Sequence, residues 1–129
     1  MIIRKLTSLL IVLLVVSCSS NSPPSTTTDV CKIFKERYSW YKAAKKTEKR
    51  WKIPVYVSMS IIKQESSFIA DARPERTKLL GFIPWKRVTS ARGYAQAVDG
   101  TWEMYLNDRG GWFSSRNDFE DSVDFVGWY

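Results

Sequence analysis

No histidine occurs among the 129 residues, and there are only two cysteines, Cys18 and Cys31. Without an imidazole to take its proton, Cys31 has no partner as a nucleophile. The same absence, with no close cysteine cluster, argues against a zinc or other soft-metal site. No glycine-rich phosphate loop is present. Nothing repeats internally, and no segment shows the strict alternation of a half-buried strand. No metal or other cofactor is expected. What remains is a chain of one-domain length. It is 44% hydrophobic and 14% aromatic, which excludes a disordered tail. Six tryptophans and six tyrosines can build a core or line a groove.

The N-terminus has its own character. Arg4 and Lys5 precede Leu6–Val16, a run broken only by Thr7 and Ser8. Eleven helical residues span about 16 Å, half of a ~30 Å hydrocarbon core. That is the length of a secretory signal and is short for a membrane span. Val15-Val16-Ser17-Cys18 resembles the bacterial lipobox, which implies that Cys18 is lipidated and becomes the new N-terminus. An ordinary signal peptide with an incidental cysteine, or a short anchor, fits the same residues. Residues 19–28 are polar, uncharged and contain Pro23 and Pro24, and are expected to form a flexible tether. Ser19, directly after Cys18, resembles lipoproteins sent on to the outer membrane, there facing the periplasm. The expected organisation is a signal over 1–18, a tether over 19–28 and one domain over 29–129. With Cys18 lipidated, Cys31 has no disulfide partner and is expected as a small buried residue.

Charge narrows the partners. Removing residues 1–18 takes away Arg4 and Lys5 and no acid, which lowers the net charge from +7 to +5. A basic surface attracts anionic polymers. An exported chain does not normally meet nucleic acid, so peptidoglycan peptides and anionic lipid headgroups are the expected partners of a monomer. Lys42, Lys45, Lys46, Lys49, Arg50 and Lys52 are expected on a solvated helix face.

From Asp29 onward the pattern is mainly α. Asp29 caps a predicted helix reaching to about Trp51, with Ile33, Phe34, Arg37, Tyr38 and Tyr41 as its stripe. Pro54 opens a second helix. A third follows Asp99, with Trp102, Met104, Tyr105 and Leu106, and stops near Gly110-Gly111. Asn117 is the predicted cap of a fourth, with Glu120 completing a capping box and Phe119, Val123 and Val126 facing inward. Residues 72–92 form a long loop with room for a short hairpin or helix around Leu79–Trp85.

One residue breaks the second helix's pattern. Val57, Ile61, Ile62 and Glu65 fall on one face, so a carboxyl group stands where an apolar residue is expected. Burial and the negative end of a helix dipole both favour the protonated form of an acid so placed. Such an acid can give a proton to a glycosidic oxygen. A glutamate that reaches past the stripe into water, or pairs with a lysine or arginine, fits the pattern as well.

The neighbouring letters add a resemblance. Gln64-Glu65-Ser66-Ser67-Phe68 resembles the Glu-Ser motif that carries the catalytic acid in the soluble lytic transglycosylases, relatives of goose-type lysozyme. Gly93-Tyr94-Ala95-Gln96, followed by Asp99-Gly100-Thr101-Trp102, resembles that family's second motif and its continuation into the next helix. Ile53-Pro54-Val55-Tyr56 is similar to the family's entry into the catalytic helix. The resemblance covers about residues 51–129, with 29–50 fitting only as a preceding helix. It implies a lysozyme-like helical fold. It also implies that Glu65 is the sole acid/base, that Ser66 helps orient it, that Gln96 bonds the sugar and that the backbone at Tyr94 and Ala95 walls the groove. Gly127-Trp128-Tyr129 resembles the start of a third motif, whose tyrosine would be Tyr129. The resemblance further implies an asparagine and more helices after it, so the sequence is expected to be a C-terminally truncated fragment.

The implied reaction cuts the β-1,4 bond between N-acetylmuramic acid and N-acetylglucosamine and leaves 1,6-anhydro ends. The implied partner is the peptidoglycan glycan strand. A two-carboxylate scheme needs a second acid, and Asp71, Glu75, Asp99 and Glu103 do not fall at positions the family uses. A hydrolytic lysozyme, a non-catalytic peptidoglycan-binding lipoprotein of the outer membrane and a structural lipoprotein remain alternatives. The segment between Glu65 and Gly93 is longer than the compact family pattern and is expected to reshape the groove.

Overall fold

Local capping rules explain where the helices begin. In the computed structural model, which describes residues 21–109 and 111–129, the Asp29 carboxylate accepts the Lys32 N–H at 3.0 Å and starts α1 (Val30–Glu36). Cys18 and the signal-like run lie outside the described residues, as does Gly110. The single helix expected to Trp51 is in fact two. Arg37 leaves helical geometry (φ −126°, ψ 69°), and α2 (Tyr38–Trp51) begins after it. The break changes the helical phase. Of the predicted stripe only Ile33 is fully buried; Trp40, Ala43, Ala44 and Thr47 form the inner face of α2, while Tyr38 and Tyr41 are exposed. Trp40 buries the largest apolar ring available, whereas a buried tyrosine must also find a partner for its hydroxyl.

Lys52 closes α2 in a left-handed conformation (φ 62°). Glu48 then bridges to the next helix, its carboxylate accepting the Val55 N–H at 3.2 Å. Pro54 is the N-cap of α3 (Val55–Ser66) rather than its first residue. Two left-handed residues, Ser67 (φ 51°) and Phe68 (φ 62°), end α3 and drive the Phe68 ring into the interior.

Residues 72–92 contain a hairpin, one of the two elements the sequence left open. β1 (Arg76–Leu79) pairs antiparallel with β2 (Ile83–Arg87), with Arg76 opposite Arg87 and Leu79 opposite Ile83. α4 (Asp99–Arg109) follows as expected. α5 (Phe119–Trp128) is capped by Asp118, not Asn117: the Asp118 carboxylate accepts the Asp121 N–H at 3.0 Å. Glu120 closes no capping box and instead meets the Lys46 ammonium at 2.8 Å. A charged neighbour on α2 and an acidic cap one residue later win over the local pattern.

α2 against α5 is the main helix pair. Gly127 permits their approach, because a Cβ there would lie 2.4 Å from the Trp51 ring and 2.8 Å from Thr47. Beside it, Asp124 accepts hydrogen bonds from Arg50 (3.0 Å), the Trp51 indole (2.9 Å) and the Tyr105 hydroxyl (3.0 Å). Burial works to raise the Asp124 pKa, but these donors together hold it below the ordinary carboxylate value.

Part of the segment expected as a tether makes contacts with the domain, and one further expectation, that of a buried Cys31, needs correction. Pro24 is buried, and the Ser25 backbone N–H and hydroxyl both donate to the Glu36 carboxylate, at 3.0 and 2.7 Å. Cys31 is exposed, because α1 turns Ile33 rather than Cys31 to the core. The basic run on α2 is exposed as predicted.

Candidate active site

Glu65 sits one residue before the end of α3, beside the turn that buries Phe68. The buried face of α3 is Ser58, Met59, Ile62 and Ser66. Glu65 is therefore exposed, not inward-facing, and Ile61 is exposed with it. A helix turns about 100° per residue, so Glu65 lies one step off the core stripe and at the rim of it. The rim is not open surface. Ile61 and Glu65 form one wall of a cleft of about 290 Å³. Ala95, Gln96, Ala97, Val98 and Thr101 line another part, and Phe125, Val126 and Tyr129 of the α5 end complete it. Glu65 is the one Asp or Glu among these lining residues.

The Gly93–Gln96 segment is held from several sides. Gly93 has φ +83°, and a Cβ there would fall 1.9 Å from the Arg116 carbonyl oxygen, so only glycine fits. The Gly93 N–H donates to the Ala72 carbonyl at 2.9 Å, and the Tyr94 N–H to the Arg116 carbonyl at 3.1 Å. Gln96 is itself left-handed (φ 50°). Its side-chain nitrogen donates to the Ala72 and Gly93 carbonyls, both at 2.9 Å. Both amide hydrogens are thus committed, and the amide oxygen is what Gln96 can offer a ligand: an acceptor for a hydroxyl or amide N–H.

The predicted site residues divide accordingly. Glu65, Gln96 and Tyr129 line one cleft. Tyr129 is 85% exposed and stacks on Phe125 at 5.9 Å. Tyr94 does not line it: its ring is 3% exposed and packs edge-on against Trp40 and Phe119, both at 5.5 Å. Burial raises its phenol pKa. The wall expected from the backbone at Tyr94 and Ala95 is supplied by Ala95, Gln96 and Ala97. Ser66 is buried, and its hydroxyl donates to the Ile62 carbonyl at 3.1 Å within its own helix, not to Glu65.

Sequence reasoning missed Arg116. Its guanidinium pairs with Asp99 at 2.7 Å and donates to the Ala97 carbonyl at 2.9 Å, while its own carbonyl accepts from Tyr94 and from Ser122. It ties the second motif to the start of α4 and to α5. No local signal marks such a residue. Of the other acids weighed for a second carboxyl role, Asp99 is taken by this pair, and Asp71, Glu75 and Glu103 do not line the cleft.

The model of the transglycosylase SLT domain family matches residues 6–129. The chain belongs to this family. The match reaches well before residue 51, so the segment ahead of α3 belongs to the likeness and is not merely a preceding helix. The lysozyme-like, mainly helical fold accords with the five helices and one small hairpin among the described residues. Membership brings peptidoglycan as substrate and lytic transglycosylase activity as the general chemistry of the domain. Neither a curated protein nor a solved structure matches this chain.

Proposed function

We propose that this SLT domain cleaves the β-1,4 bond between N-acetylmuramic acid and N-acetylglucosamine with Glu65 as its single acid/base. The observation that carries the reading is the cleft: Glu65 lines it together with Gln96 and Tyr129, and among the described residues no second Asp or Glu does. A two-carboxylate glycosidase needs a partner acid about 5–10 Å away. Here the second function falls to the substrate. The Glu65 carboxyl gives its proton to the glycosidic oxygen, and the bond from that oxygen to C1 of the muramyl residue breaks. The 2-acetamido oxygen supports the positive charge at C1. The Glu65 carboxylate then takes the proton of the C6 hydroxyl while O6 bonds to C1. The product is a 1,6-anhydro ring, no water is consumed, and Glu65 ends protonated as it began. A glycan strand laid over the exposed Glu65 excludes water from it.

We also propose that the chain lies in the cell envelope, lipid-anchored through Cys18 at the outer membrane and facing the periplasm, a reading supported by the lipobox-like Val15-Val16-Ser17-Cys18 and by Ser19. Metabolic labelling with a fatty-acid probe, lost in Cys18→Ser, tests the anchor. For the chemistry, Glu65→Gln lowers release of muropeptides from purified sacculi by about 100- to 10,000-fold and leaves the melting temperature nearly unchanged. Normal cleavage by that variant sinks the proposal. Reducing ends in place of anhydro ends identify a hydrolase. Binding of sacculi by the wild type without release identifies a binding protein.

A further inference from the structure

The hairpin between the two motifs is unaccounted for by the cleft. Every residue of β1 and β2 is exposed except Arg87, which is half-buried. The strands are joined through Leu80 (φ 55°) and Gly81 (φ 82°). Five apolar side chains gather at this end: Leu79, Leu80, Phe82, Ile83 and Trp85, with Leu80 76%, Phe82 73% and Trp85 61% exposed. A lone two-stranded hairpin gains little stability in water, and Leu80, Phe82 and Trp85 keep most of their surface in solvent. An exposed apolar group of this size marks an interaction site.

Charge states what covers it. Residues 73–88 contain Arg73, Arg76, Lys78, Lys86 and Arg87 against one acid, Glu75. The cations stand behind the apolar tip. From the Leu79–Ile83 rung to the Arg76–Arg87 rung is three residues of β1, about 10 Å at ~3.4 Å each. That matches the ~5–10 Å depth at which an interfacial element sits between headgroups and acyl chains. Phe82 and Trp85 alone of the five offer a flat face to a sugar ring, whereas all five can enter acyl chains, and the basic residues beside them favour an anionic lipid over a glycan. Strands of 4 and 5 residues are shorter than the about 9–11 that a membrane-spanning strand needs, so the hairpin docks and does not span.

We propose that this hairpin docks on an anionic phospholipid surface, its apolar tip inserting between headgroups and its basic residues meeting lipid phosphates. The inference depends on neither Glu65 nor Cys18. The test uses the full chain with vesicles of phosphatidylglycerol and phosphatidylcholine carrying brominated acyl chains. The signal of Trp85 is taken as the difference between wild type and Trp85→Phe. The expected result is quenching and a blue shift of this component. Both are lost in Leu80→Asp/Phe82→Asp, whose circular dichroism stays wild-type because both positions are exposed. In Lys78→Ala/Lys86→Ala the apparent affinity read at Trp85 drops about 30-fold, from ~1 kcal/mol per basic residue. Vesicles that bind the chain without quenching Trp85 overturn the proposal, since any apolar segment elsewhere can hold the protein without engaging the hairpin. Equal quenching in pure phosphatidylcholine overturns the role of charge. A Trp85 shift with purified glycan strands and none with vesicles overturns it in favour of a sugar-binding hairpin.

Discussion

Two aromatic clusters flank α5, and they end differently. On one side Trp40 stacks on Phe119 at 4.0 Å and meets Phe68 at 5.9 Å and Tyr94 at 5.5 Å. All four rings are buried. On the other side Phe125 touches Trp102, Tyr105, Trp128 and Tyr129, at 5.4 to 6.0 Å. That cluster begins buried at Trp102 and Tyr105 and opens at Tyr129 into the cleft shared with Glu65. The rings are of the same kinds at similar separations. Aromatic content therefore does not distinguish a core from a groove. What distinguishes them is where the last ring lies: Phe68 is turned into the interior, whereas Tyr129 lines the cleft. Phe68 seals the first cluster because the turn after α3 folds it inward.

The comparison breaks first at Trp40. Trp40→Ala removes the ring shared by the sealed cluster and costs about 3–5 kcal/mol of unfolding free energy, read from urea denaturation of the full chain. A loss below ~1 kcal/mol means that Phe119 and Tyr94 hold the cluster without it. Gly93→Ala links the two regions, because Gly93 fixes both the buried Tyr94 and the cleft residue Gln96. We expect about 1–3 kcal/mol of destabilisation together with weaker sacculus binding. Lost stability with unchanged binding separates the motif's structural role from its functional one.

Asp124 sharpens the comparison on the open side. Its folded-state pKa lies below the unfolded value, so its stabilisation is present above the ordinary pKa of ~3.9 and is lost as pH falls through the folded value. The melting temperature of the wild type should fall with acidification through this window. Asp124→Asn should be less stable at pH 7 by about 1–3 kcal/mol and should show a flatter acid limb. An unchanged acid limb assigns the dependence to other carboxylates. The smallest expected effect on stability is at Tyr129. Tyr129→Ala shifts unfolding by less than ~0.5 kcal/mol. It slows cleavage at low substrate by about 2- to 10-fold, the loss of one aromatic contact. A large stability loss makes Tyr129 part of the core.

Much of this was legible along the chain. Asp29 caps its helix, Pro54 precedes the next, and α4 begins at Asp99 because these signals act within one turn. The misreadings lie where a distant contact outweighs a local preference. Asn117 lost the cap to Asp118 once Glu120 reached Lys46. Arg37 interrupts an otherwise continuous helical pattern, and Tyr38 and Tyr41 lost the core to Trp40. Glu65 shows the limit most clearly. Its apolar neighbours at helical spacing suggested an inward acid. A shift of one residue in the buried stripe leaves it on the rim, where the lining of a cleft comes from segments about thirty and sixty residues further along the chain.

The sequence by itself determined the helical class and the order of the two motifs, since each depends on backbone preference or on residues adjacent in the chain. The tertiary structure decided that Tyr94 is core, that residue 93 must be glycine, that Arg116 anchors the second motif, and that Glu65 is the one Asp or Glu among the described residues lining its cleft. These outcomes depend on which surfaces meet when α2, α3 and α5 pack. Burial is a property of the assembled neighbours and cannot be assigned to a side chain from its own spacing.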